Sequence, residues 1–301
     1  MSRPDYARTA STNLSAAAGR RPLEGKLALV TGASRGIGAA ICRNLAAKGC
    51  SLVLNYTSDS STQRTDELAA QLAAAHGIRA VAVQADMGSA TGPAHCVASA
   101  RNHFAHPKTG AFTLDIIVNN AAVAANKAVA DVDVGHFARL YDVNVRGPLL
   151  LVQAALPHLP LDRSGRIVNV SSVSAALGFA DQSVYGGTKA ALEAMTRTWA
   201  RELAARCTVN AVNPGPVATD MYAGTSRDFQ AQMSSWTKNT PLAAVREGVD
   251  ADEFVRNAEF AGGRPAYDTE IAGVVAMLCG EDAGWSTGSV VCANGGFKFS
   301  T

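Results

Sequence analysis

Leu27-Ala28-Leu29-Val30-Thr31-Gly32-Ala33-Ser34-Arg35-Gly36-Ile37-Gly38 is the stretch on which the reading of this 301-residue chain turns. Four apolar residues ending at Thr31-Gly32 have the length and composition of a buried parallel strand. From Gly36 to Lys48 the apolar residues Ile37, Ala40, Ile41 and Leu45 recur at helical spacing, and Gly49 closes the run as a C-cap glycine does. Glycines at 32, 36 and 38 lie where a chain must bend sharply from strand to helix and let its backbone approach a pyrophosphate. The helix start then offers free N–H groups and partial positive charge to an anion.

Outward from this turn, strand-like and helix-like stretches alternate. Strands are expected at Ser51–Tyr56, Ala80–Gln84, Leu114–Val118, Arg166–Val170, Thr208–Val212 and Ser289–Cys292. Helices are expected at Thr65–Ala75, 94–104, Val134–Leu159 as one long stretch, Val184–Ala205 and Ile271–Leu278. This alternation predicts an α/β fold: a Rossmann-type doubly wound parallel sheet of about seven strands, with helices on both faces and right-handed crossovers. Residues 25–301 read as a single domain. Residues 1–24 read as a flexible N-terminal extension, with a mitochondrial transit peptide as the alternative to a cytoplasmic protein.

Composition narrows the function. Apolar residues make up 48% and charged residues 17%, enough to bury a sizeable core. A net charge of +2 gives no general pull toward nucleic acid or an anionic membrane. No apolar run approaches the ~20 residues that span a bilayer. Cysteines at 42, 50, 96, 207, 279 and 292 form no C-x-x-C pair and read as reduced thiols. His103 and His106 have no cysteine or carboxylate cluster beside them, so no metal site is expected.

The spacing T-G-x-x-x-G-I-G, in place of G-x-G-x-x-G, resembles the short-chain dehydrogenase/reductase family. Residue by residue, the resemblance extends over about 25–296. It implies a cofactor site at Gly32, Ser34, Arg35, Gly36, Ile37 and Gly38. The second strand ends in Asn55, Tyr56, Thr57 and Ser58, with no acid before Asp59. A carboxylate at 55 would repel a ribose 2′-phosphate, whereas Asn, Thr and Ser can hydrogen-bond it and Arg35 can supply the counter-charge. NADPH/NADP+ is therefore expected over NADH. Asp86 and Met87 follow the third strand, where the family binds adenine. Asn120 and Ala121 follow the fourth, with Ala122 where the family carries glycine. Pro214, Gly215, Val217 and Thr219 match the loop that borders the nicotinamide.

Tyr185 and Lys189 are one helical turn apart. A tyrosine at its ordinary pKa of ~10 is a poor acid at neutral pH, and an adjacent ammonium group is expected to lower it. Ser172 closes the fifth strand thirteen residues before Tyr185, and Asn144 lies twenty-eight before Ser172. The family's catalytic tetrad has these intervals. The resemblance implies Tyr185 as proton donor, Ser172 as hydrogen-bond donor to the carbonyl oxygen, Lys189 as ribose holder and Asn144 as anchor of a relay water.

Residues 220–266 are expected to form a substrate lid. They carry Met221, Tyr222, Phe229, Met233, Trp236, Phe254 and Phe260, and Phe179 and Gln182 are expected to face the same pocket. The substrate implied is a small-molecule carbonyl, of 3-oxoacyl or polyketide type, reduced to an alcohol. The alternatives are an NAD-linked dehydrogenase working oxidatively and a non-catalytic NADP-binding regulator. The resemblance further implies a homotetramer or homodimer.

Overall fold

The computed structural model describes residues 21–299. Seven parallel strands, β1 Leu27–Val30, β2 Ser51–Tyr56, β3 Ala80–Gln84, β4 Ile116–Asn119, β5 Gly165–Val170, β6 Cys207–Val212 and β7 Val290–Val291, lie in the order β3-β2-β1-β4-β5-β6-β7. Every pairing is parallel, so each connection crosses over a face of the sheet. The order reverses between β1 and β4, and a crevice opens at the carboxyl ends of strands at such a point.

Alternation along the central strands divides the core in two. Ala28, Val30, Ile116 and Val118 face helices α1 Gly36–Ala47, α2 Thr62–His76 and α10 Asp268–Cys279. Leu27, Leu29, Ile117 and Ile167 face α3 Gly92–Phe104, α5 Gly147–Ala155 and α6 Ser183–Glu202. A fully buried polar line crosses the second layer: Asn119 Nδ2 donates to Asn169 Oδ1 (2.8 Å), and Asn169 Nδ2 to Thr196 Oγ1 (2.8 Å). It fixes α6 against β4 and β5 more specifically than apolar packing would. Cys42, Cys50, Cys96, Cys207 and Cys279 are buried, and Cys292 is half-buried.

Two expectations gain detail. The helical stretch from 134 runs without interruption to 158 but is not uniformly α-helical. It comprises α4 Val134–Tyr141, a π-helical turn at Asp142–Arg146, α5, and a 3₁₀ turn at Leu156–His158. The domain also begins before residue 25: Leu23 is 3% exposed, and its N–H donates to the Lys48 carbonyl (2.9 Å). Residues 1–20 of the expected extension lie outside the described residues. Beyond β6 the chain forms α7 Asp220–Ala223, α8 Arg227–Lys238 and α9 Asp252–Ala261. The α9 segment is tied down where Arg264 pairs with Asp250 (3.3 Å) and Glu270 (2.7 Å). Among the described residues no helix is long and apolar enough to cross a membrane.

Candidate active site

A cleft of about 690 Å³ opens over the carboxyl ends of β1, β4, β5 and β6, a size suited to a ligand the bulk of a dinucleotide fragment or drug-sized molecule. One end is floored by the glycine turn. Gly32 and Gly36 have positive φ (63° and 52°). A Cβ on Gly38 would overlap the Gly32 carbonyl and stand 2.6 Å from Asn120 Nδ2. Helix α1 starts here with no side-chain cap from Arg35 and no acid in its first turn. Its leading N–H groups thus remain available to an anion.

Gly32, Ser34, Arg35, Gly36, Ile37 and Gly38 all line the cleft, as do Tyr56, Thr57, Asp86, Met87, Asn120 and Ala121. Pro214, Gly215, Val217 and Thr219 line its far side. Asp86 Oδ1 accepts from Gly88 N–H (2.9 Å). Arg35 forms an exposed ion pair with Asp220 at the start of α7 (3.5 Å).

Two expected cofactor contacts are not on the cleft wall. Asn55 is fully buried: its Nδ2 donates to the carbonyls of Ala85 (2.9 Å), Tyr56 (3.2 Å) and Val83 (3.3 Å), and its Oδ1 accepts from Gly32 N–H (3.4 Å). All its hydrogen-bonding capacity braces the glycine turn against β3, so it has nothing to offer a phosphate. Ser58 turns to Ser60 and Ser61 (3.1 Å each), and Ser61 reaches the cleft in its place.

At the other end Ser172, Tyr185 and Lys189 meet. Ser172 caps the 3₁₀ turn Val173–Ala175, its Oγ accepting from Ser174 N–H (3.1 Å). Tyr185 and Lys189 lie on the first turns of α6, with Lys189 Nζ 5.7 Å from the Tyr185 ring centre. The amine is 3% exposed and donates to the Val170 carbonyl (2.8 Å). Burial lowers its pKa to about 8. Burial also pushes the Tyr185 phenol up to about 12, against a smaller lowering by its hydrogen bond with Ser172. Burial is the larger of these two effects on the phenol.

Asn144 is brought to this region but not to the cleft wall. It sits in the π turn, 1% exposed. Its Oδ1 accepts from Val123 N–H (2.9 Å), and its Nδ2 donates to the Val123 carbonyl (2.9 Å) and to Thr188 Oγ1 (3.1 Å). The side chain joins the loop after β4 to α6 in a closed set of bonds.

Of the side chains of the expected lid, Met221, Tyr222, Phe229 and Met233 line the cleft. Trp236 instead stacks on Phe297 (5.8 Å), Phe254 lies against Tyr267, and Phe260 lies under Arg227. Phe229, Met233, Val173 and Phe297 form a small core of their own. Ser174, Asn126 and Gln182 complete the wall beyond Ser172. The first two escaped the sequence reading, because neither belongs to a spaced motif.

Residues 26–230 match the family model described as short chain dehydrogenase. The chain is 52% identical over 296 residues to an L-xylulose reductase of Aspergillus niger, covering 93% of this chain and 99% of that one. It is 50% identical over 300 residues to an L-xylo-3-hexulose reductase of Hypocrea jecorina, with 93% and 99% covered. Among solved structures, a blue fluorescent protein from a metagenomic library in complex with NADPH superposes with a TM-score of 0.75 at 35% identity, covering 92% of this chain and all of that one. The glycine turn, the Ser172–Tyr185–Lys189 cluster and these likenesses agree: the chain belongs to the short-chain dehydrogenase/reductase family.

Proposed function

We propose that this protein reduces the ketone of an open-chain ketose to a secondary alcohol, using NADPH. The observation that carries the reading is a phenol beside a buried amine and a serine hydroxyl, in one cleft with an uncapped helix start. Names of the two relatives at 50–52% identity favour a ketose over a bulky 3-oxoacyl or polyketide-type ketone.

The first-turn N–H groups of α1 would hold the pyrophosphate, Arg35 and Thr57 the 2′-phosphate, and Asp86 the adenine. Lys189 would hold the nicotinamide ribose, and the 214–219 loop would border the carboxamide. No carboxylate at the end of β2 points into the cleft; Asp59 is turned to Gln84 Nε2 (2.6 Å), which favours NADPH over NADH. When bound, the cofactor supplies a hydride to the carbonyl carbon. Ser172 donates a hydrogen bond to the carbonyl oxygen and stabilises the charge that grows there. Tyr185 gives its proton to that oxygen, and the positive charge on Lys189 offsets the phenolate left behind. Asn144 acts by holding Val123 and Thr188, and so the cleft floor, in place.

The rate of NADPH consumption with L-xylulose tests this. Tyr185→Phe is expected to lower kcat by about 10²–10⁴-fold while NADPH still binds, as judged by its fluorescence. A Tyr185→Phe variant that turns over at the wild-type rate overturns the mechanism. A second reading, reduction of a bulky ketone, is favoured by the apolar wall of Phe179, Tyr222, Phe229 and Met233. Turnover of a 3-oxoacyl thioester faster than any ketose would favour it. We further infer a homo-oligomer joined through the helices at 134–155 and 183–202, where Val134, Phe137 and Leu149 are exposed.

A further inference from the structure

Beyond Ser172 the cleft wall carries hydrogen-bonding groups that hydride transfer does not use. Ser172 Oγ donates to Ser174 Oγ (3.1 Å) until a carbonyl oxygen takes its one proton, Ser174 Oγ donates to Gln182 Oε1 (2.7 Å), and Gln182 Nε2 donates to Asn126 Oδ1 (3.2 Å). All four residues line the cleft. The bonds run in one direction, away from the catalytic serine, and end at Asn126. Its Nδ2 has no protein acceptor among the described residues. Gln182 keeps one N–H, and Ser174 Oγ keeps a lone pair.

The line is held rigidly. Asn126 lies in the loop after β4 between two anchored points. Val123 is bonded through both backbone groups to Asn144 (2.9 Å each), and Lys127 N–H donates to the Asp181 carbonyl (2.8 Å). Asp181 holds φ at +64°, a conformation a non-glycine residue adopts at some cost, and thereby delivers both that carbonyl and the neighbouring Gln182. Gln182 is 9% exposed and precedes the first turn of α6, on which Tyr185 sits. Tyr222, Phe229 and Met233 line the same cleft and add apolar surface to it, Phe229 and Met233 packing with Val173.

A line of donors and acceptors beside apolar side chains in one cleft matches a chain that carries both hydroxyls and C–H bonds. We propose that Ser174, Gln182 and Asn126 form a substrate-reading rail that selects polyhydroxylated ketones over unhydroxylated ones, with Gln182 and Asn126 the specificity-determining pair. This rests on the ketose reading above. A site whose polar groups are bonded by the correct substrate rejects an analogue that leaves them unpaired.

The test compares kcat/KM for L-xylulose with kcat/KM for the five-carbon methyl ketone that lacks hydroxyls, in wild type, Gln182→Met, Asn126→Ala and the double variant. Wild type is expected to favour the pentulose. Each single variant is expected to lower the ratio of the two values about tenfold, the effect of one lost hydrogen bond. The double variant should fall by less than the product, because the two residues share a bond. A merely structural role would lower both rates and leave the ratio where it was. Should Gln182→Met fail to fold, Asn126→Ala carries the test, since its loop stays anchored at Val123 and Lys127. If wild type favours the pentulose and the ratio is unmoved in folded variants, the rail is overturned and the ketose reading stands. If wild type favours the plain ketone, the ketose reading falls, and the rail with it.

Discussion

Burial acts on Tyr185 and Lys189 in opposite senses, because one is charged when it loses a proton and the other when it keeps one. With the phenol at about 12 and the amine at about 8, the neutral range holds a protonated donor beside a charged amine. Reductive kcat/KM should therefore fall as pH rises through about 8, when Lys189 loses its charge; a pH profile with saturating NADPH checks this. Folding stability responds to the same group in the opposite sense. An unfolded lysine holds its proton to its ordinary 10.5, so folding stability gains as pH rises from about 8 toward that value, and Lys189→Met should remove the gain in urea melts across that window. Asn55 makes a second case. Replacing it with Asp would set a carboxylate oxygen against three carbonyls. Asn55→Asp is expected to cost about 2–4 kcal/mol of stability, measured by denaturant unfolding, and not to convert the protein to NADH. The spacing of Ser172, Tyr185 and Lys189 was legible in the sequence because helix and strand periods bring them together. The inward turn of Asn55 was not, since two of its partners, Val83 in β3 and Ala85 just after it, lie 28 and 30 residues away.

Among the elements, strands were legible to within about two residues because buried parallel strands are short apolar runs between turn residues. The π turn at Asp142–Arg146 was not. Hydrophobic spacing passes through a π turn with little visible change, and the turn is set by the closed bonds of Asn144 to Val123 and Thr188. Such turns cluster at functional sites. Thr188 is one residue from Lys189, so loss of the Asn144 bonds would loosen the catalytic turn of α6 from the loop that carries Asn126. Asn144→Ala is expected to cost about 1–3 kcal/mol in stability, and kcat should fall more than KM rises. At the glycine turn, Gly38→Ala drives a methyl group into the Gly32 carbonyl. It should abolish NADPH binding in a fluorescence titration while far-UV circular dichroism retains the helical signal of the remaining elements.

For the molecule as a whole, repeated strand–helix alternation sufficed to give the sheet and its layers, since right-handed crossovers leave few ways to wind it. Where the domain starts was less legible. Leu23 follows a stretch with no clear period, and its burial and its bond to the Lys48 carbonyl show that it belongs to the core. Exposed Phe137 and Leu149, at 47% and 44%, lie on the helices through which an oligomer is inferred. Phe137→Asp with Leu149→Asp should shift the sedimentation coefficient to that of a single chain; an unchanged value would place the interface elsewhere.

The five buried cysteines carry a last consequence. Burial raises the pKa of each of them, to about 12 for Cys96 and Cys279 and about 11 for Cys207. A sulfur attacks alkylating agents and peroxide as its anion, and these five hold almost none of it. In its native state the protein should behave toward iodoacetamide as if Cys292 were its sole sulfhydryl. Intact mass should show one adduct before denaturation and six after.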